Sequence, residues 1–114
     1  MKKIEREITL KELEEMSKRM YDALVKAVVD VEREIMVVDA EMHADQEKFL
    51  IGDSSKQENL WGINLYPEMY GTDDFVEFDS MINIRPTQGN RSRGVEDTKM
   101  QIKIKEIVDR LVKK

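Results

Sequence analysis

Three arginines, a glutamine, an asparagine and two glycines crowd the stretch RPTQGNRSRG, residues 85 to 94, with no acidic residue among them. Guanidinium groups grip phosphate or carboxylate through paired N–H donors. Gly89 and Gly94 tolerate positive φ, so successive backbone N–H groups could curl into an anion-binding nest, and a helix starting just downstream would add donors. Arg85, Gln88, Asn90, Arg91 and Arg93 are therefore candidate ligands for a small anionic or phosphate-bearing molecule. The stretch matches neither GxGxxG nor GxxxxGKS/T, so no nucleotide-binding fingerprint comes with it. The competing possibility is inward pairing with Glu77, Asp79, Glu96 or Asp97. Charge clusters are commonly neutralised within their own chain.

A second group lies in DAEMHAD, residues 39 to 45. Read as a strand, it places Asp39, Glu41 and His43 on one side, with about 7 Å between successive same-face Cα atoms. Carboxylates and an imidazole can share acid/base work or hold a divalent cation that activates water, and Asp79 joins them if its strand lies alongside. A trio spread along one strand is too extended to close a coordination sphere, so no metal site and no cofactor is assigned. No Ser–His–acid arrangement can be built: Ser80 is expected to point into the core, and Ser54, Ser55 and Ser92 fall in loops.

The elements that must position these groups form one domain over residues 1–114. A chain of this length buries about two-thirds of its unfolded surface. With 19 Lys and Arg against 24 Asp and Glu the net charge is −5, which disfavours a general nucleic-acid binder. Absence of cysteine removes disulfides, thiolate nucleophiles and thiolate metal sites. No long apolar run or secretory h-region is visible, so a membrane role is not expected and the default address is cytoplasmic. A charged fraction of 38% fits a thermophilic source as well as an ordinary helical surface.

Thr9 and Glu12 have capping-box spacing ahead of a stripe of Leu10, Leu13, Met16, Met20 and Leu24, which predicts a helix from Leu10. Two strand-like runs follow, 25–31 and 36–42. A hairpin with Val31 opposite Met36 puts Val25, Ala27, Val29, Val38, Ala40 and Met42 on one face and sets Lys26 against Glu41. A short helix capped by Asp45 and ended by Gly52 is expected, then strands in LWGINLYP and FVEFDSMINI, and a last helix capped by Asp97 with Met100, Ile104, Ile107, Val108 and Leu111 inward.

The fold class is α+β in the order α-β-β-α-β-β-α, an antiparallel sheet of about four strands with helices mainly on one face. The other face then collects Lys26, Asp30, Asp39, Glu41, His43, Asn64, Tyr66, Glu77, Asp79, Asn83 and Arg85. Solvated sheet faces are ordinarily polar, yet Asn64 and Asn83 sit inside otherwise strong strands, where Asn is disfavoured. Both are kept as ligand-binding candidates. Five of the eight methionines, Met16, Met20, Met36, Met42 and Met100, fall on stripes expected to be buried.

SKQENLWGINLYP and EFDSMINIRPTQGNRSRGVED, with HAD ahead of them, resemble a family of short prokaryotic proteins described as a domain of unknown function. The resemblance spans nearly the whole chain. It implies a single-domain intracellular protein and brings no catalytic or binding assignment. Three functions stay open on the residues alone. The first is an anion-binding module built on the arginine loop. The second is a hydrolase using Asp39, Glu41, His43 and Asp79. The third is a self-assembling homo-oligomer, which would require an apolar sheet face through Val28, Val37 and Met81.

Overall fold

The computed structural model describes residues 1–20 and 23–114. Helix α1 (Leu10–Met20) starts at the expected capping box: Thr9 Oγ1 accepts from the Glu12 N–H and Glu12 Oε2 from the Thr9 N–H, both at 3.1 Å. Leu13 and Met16 are buried, whereas Met20 is exposed and Leu24 lies beyond the helix. Residues 21 and 22, which the expected stripe crossed, lie outside the described residues.

The expected α+β class and the order α-β-β-α-β-β-α hold, with three short terminal strands added. A five-stranded antiparallel sheet runs β1-β4-β3-β5-β6, from β1 (Lys2–Ile4), β4 (Ile35–Val38), β3 (Val25–Asp30) and β5 (Leu60–Leu65) to β6 (Val76–Glu77). Beside it β2 (Ile8–Thr9) pairs in parallel with β7 (Val112–Lys113). In the hairpin Val29, not Val31, opposes Met36. The slip is by two residues, so it preserves which side chains face the core. Its cause is the turn: Asp30 Oδ1 accepts from the Glu32 and Arg33 N–H groups at 2.9 and 3.0 Å, and Glu34 takes φ 58°, closing the loop one residue early. Asp39, at φ 67°, ends β4, so Ala40, Glu41 and Met42 lie beyond the strand, and the cross-strand partner of Lys26 is Asn64 of β5.

One sheet face, through Ala27, Val29, Met36, Trp61 and Ile63, packs on α1 and on α3 (Thr98–Leu111). Asp97 caps α3 as expected, its Oδ1 accepting from the Lys99 N–H at 2.9 Å. On the other face Val28, Val37 and Leu60 lie under Leu50 of helix α2 (His43–Gly52) and under Ile82. Helices therefore cover mainly one face, but the second is not open. Val28 and Val37 are fully buried by the chain itself, and Met81 alone of that trio is exposed.

Helix α2 begins three residues ahead of the expected start, at His43, and Asp45 is in its first turn instead of capping it. The expected long strand over 75–84 shrinks to Val76–Glu77. Beyond it the chain crosses the sheet at Gly62, where an added Cβ would lie 2.5 Å from Ser80 Cβ and Oγ. Only glycine admits that crossing. Ile82 consequently joins the α2 side and Ile84 is exposed, so neither shares a face with Val76.

Candidate functional site

Arg85 and Asn90 of the arginine loop turn inward and are buried, while Arg91 and Arg93 stay exposed. β6 pairs with β5 only at Asn64 and Leu65, which leaves Gly62 and Leu60 of β5, paired with β3 on one side, without a strand neighbour on the other. Asn83 fills the first gap. Its Oδ1 accepts from the Gly62 N–H at 2.8 Å and its Nδ2 donates to the Gly62 carbonyl at 2.9 Å, so one carboxamide replaces the two bonds of an antiparallel residue pair. Arg85 fills the second, donating to the Leu60 and Gln57 carbonyls with its guanidinium 4.2 Å from the Trp61 ring centroid. Burial lowers the Arg85 pKa.

Asn90 is equally occupied: Nδ2 donates to the carbonyls of Asn83, Ser92 and Gly94, and Oδ1 accepts from the Glu96 N–H at 2.8 Å. Gln88 donates to the Glu58 carbonyl at 3.1 Å. A backbone nest does form, from the N–H groups of Arg91 and Ser92, and its anion is the chain's own Glu96, whose Oε2 lies at 2.6 and 2.9 Å. The Arg91 N–H is the main reason the Glu96 carboxyl is held below its ordinary range. Arg93 Nε meets Asp79 Oδ1 at 2.7 Å, and Arg91 points to solvent.

The DAEMHAD trio separates, because Asp39 is at a strand end, Glu41 in the connection and His43 in α2. Asp39 pairs with Arg19 at 3.0 Å. Among the described residues no three His, Asp or Glu side chains gather as a metal would need. His43 Nε2 lies 2.7 Å from the Ile63 carbonyl, and burial is the main cause that lowers its pKa. The imidazole is thus neutral near pH 7, with its proton on Nε2, since the carbonyl can only accept.

What the fold brings together is a different set. Lys26 of β3, Asn64 of β5 and Glu77 of β6 are cross-strand neighbours in one row. α2 stands over that row, tied down by His43 and by Gln46 Nε2, which donates to the Lys26 carbonyl at 2.8 Å. Between them lies a cleft of about 460 Å³, lined also by Met42, Ala44, Tyr66, Asp79, Ser80 and Arg93, a size suited to a small molecule. His43 and Asp79 from the acid/base candidates and Asn64 and Arg93 from the ligand candidates meet there. Asp39, Glu41, Asn83, Arg85, Gln88, Asn90 and Arg91 do not line it.

Two features of the cleft are unusual. The first turn of α2 has no side-chain cap, and Met42, His43 and Ala44 at that end line the cleft, while the Asp45 N–H donates to the Met42 carbonyl at 3.2 Å. Asn64, 6% exposed, donates from Nδ2 to Glu77 Oε1 at 2.8 Å and to the Asp79 carbonyl at 3.4 Å. Both neighbours are acceptors, which fixes the amide orientation and leaves its buried Oδ1 with no partner among the described residues. Tyr66 also donates to Glu77 Oε1, at 3.0 Å, and burial first, then that bond, raises its pKa.

Lys26, Tyr66 and Glu77 were legible as a polar strand face but not as a site, since the cleft needs α2 as its second wall. Sequence reasoning missed the α2 terminus, which carries no Ser, Thr, Asp or Asn cap to announce it. A family model described as a protein of unknown function, DUF5674, matches residues 2–111. No curated protein and no solved structure matches the chain. Among the described residues no helix is long and apolar enough to cross a membrane.

Proposed function

We propose that this chain, which belongs to the DUF5674 family of proteins of unknown function, is a small-molecule-binding module that takes an acid-bearing ligand in the cleft between α2 and the β3–β5–β6 row. The anionic group would sit against the uncapped first turn of α2, within reach of the positive charges of Lys26 and Arg93. The observation that carries this is the meeting of an uncapped helix start with a buried amide oxygen lacking a partner, in one cleft. Polar groups left unsatisfied in a folded interior cost about 1–3 kcal/mol each, and a ligand offsets that cost. The site is thereby moved from the tip of the arginine loop to the cleft that the loop's Arg93 borders.

The acid/base reading draws on the same cleft but has less behind it. The Nε2 proton of His43 is held by Ile63, and Asp79 is engaged by Arg93.

The test is calorimetric titration of the whole chain with small carboxylates and with inorganic phosphate, repeated on Arg93→Gln. Binding that falls about tenfold in the variant is expected. Equal binding by Arg93→Gln and by Arg91→Gln would remove Arg93 from the site, and heat-free titrations with every acid would end the reading.

A further inference from the structure

Asn83 and Arg85 do not line the cleft, yet both are buried. Along the outer edge of β5 the backbone groups that point away from β3 belong to every second residue, Leu60, Gly62 and Asn64. Asn64 has a strand partner there, Glu77 of β6. Gly62 is met by the carboxamide of Asn83, at 2.8 and 2.9 Å, and the Leu60 carbonyl by the guanidinium of Arg85. Two side chains thus stand where a further strand would lie. The segment that carries them is closed on itself: the Ser80 N–H donates to the Arg93 carbonyl at 2.9 Å, and Asn90 Nδ2 to the Asn83 carbonyl at 2.7 Å.

β5 is the strand that most needs such a cover. Residues 59 to 67, NLWGINLYP, hold no charged side chain, and the run from Leu60 to Tyr66 is largely apolar and free of proline. The sheet's other edges are guarded differently: β1 carries Lys2 and Lys3, and β6 is two residues long and carries Glu77. A bare edge of a strand like β5 pairs with any extended segment that offers the complementary groups, and a second copy of the chain offers that same edge. We infer that the loop over 80–93 is a strap that keeps β5 from pairing with β5 of a second copy, and that residues 60 to 62 form a latent interface between copies. With the strap lifted, antiparallel pairing about a two-fold axis sets Leu60 of one copy opposite Gly62 of the other and the two Trp61 residues opposite each other. β6 keeps its place in that register, since it pairs only at Asn64 and Leu65. Because side chains and not a backbone ladder fasten the strap to β5, single substitutions unfasten it.

Two variants of the full chain test this. Asn83→Ala removes the carboxamide, and Arg85→Met keeps an apolar stem over Trp61 while removing the donors to Leu60 and Gln57. Each is compared with the unaltered chain by sedimentation equilibrium from about 10 μM to about 1 mM. Both are expected to rise with concentration to about twice the mass of the unaltered chain. In Asn83→Ala the Gly62 amide is expected to exchange its hydrogen about tenfold or more faster than in the unaltered chain when dilute, and to regain protection when assembled. Variants that keep the mass of the unaltered chain at every concentration, folded or unfolded, overturn the proposal. Assembly of Asn83→Ala that leaves the Gly62 amide exchanging as fast as in the dilute variant puts the interface elsewhere and overturns it too.

Discussion

Asn83 and Asn64 are the same residue type, both buried and both bonded beside β5, yet one is spent and the other is not. Asn83 makes three hydrogen bonds, to both groups of Gly62 and to the Arg93 carbonyl at 2.9 Å, and replaces a missing stretch of strand. Asn64 uses only its NH₂, and its buried oxygen has no partner among the described residues. The same contrast separates their surroundings. In the loop from Arg85 to Glu96, side chains bond carbonyls and backbone N–H groups of the chain itself. Around the cleft a helix start has no side-chain cap, and a buried amide oxygen has no partner among the described residues. Residue type and burial therefore do not distinguish a structural polar group from a binding one; the remaining hydrogen-bond capacity does.

Breaking the structural side of that contrast should have the largest effect. Asn83→Leu leaves the Gly62 N–H and carbonyl and the Arg93 carbonyl unpaired in the interior, and about 3–5 kcal/mol of stability is expected to go. Urea unfolding monitored by Trp61 fluorescence measures it. A loss below about 1 kcal/mol would mean water replaces the carboxamide and that Asn83 is no strand substitute. By the same comparison the cleft variants Arg93→Gln and Glu77→Gln should keep the fold nearly intact. The Arg93–Asp79 pair is largely exposed, 58% and 39% by side chain, and such pairs contribute at most about 1 kcal/mol.

Gly62→Ala is the next step down. Its methyl would press on Ser80 at the crossing, and overpacking of this kind costs about 1–3 kcal/mol where backbone must shift. The same shift moves the segment carrying Asp79 and the cleft wall at Ser80. Loss of stability together with weakened ligand binding is thus expected, against loss of stability alone if the cleft is not the site. Thermal unfolding with and without ligand separates these outcomes.

Legibility in the sequence follows the same division. α1 and α3 were readable because caps and apolar stripes are local signals: Thr9 with Glu12, and Asp97 with its Lys99 N–H. The sheet-facing alternation of β3 and β4 survived even a two-residue slip, since an even shift leaves the faces unchanged. α2 was placed late because its inward positions are His43, Gln46 and Leu50, polar, polar and apolar, so periodicity speaks only at its end. The strand over 75–84 was overread because Ser80 and Asn83 imitate strand alternation while serving a turn and an edge; what breaks the strand is Gly62, twenty residues away. The inward use of the arginines was anticipated for Asp79 and Glu96, although Glu96 takes backbone N–H groups.

The smallest expected effect is the most selective. His43 is the only histidine, so between about pH 5.5 and 7.5 no other side-chain type has an ordinary pKa inside the window. Its pKa is lowered in the folded chain, mainly by burial. The unfolded chain therefore binds more protons at mildly acid pH. The stabilising contribution of the neutral, Ile63-bonded imidazole is complete above the unfolded value near 6.5, and it declines as the pH falls through that value toward the folded one. His43→Gln keeps a donor of similar reach for the Ile63 carbonyl but cannot titrate. Its stability should be level across the window in which the unaltered chain weakens. Parallel slopes for the two proteins would show that His43 is solvated, and would remove the pin that holds the open end of α2 against Asn64.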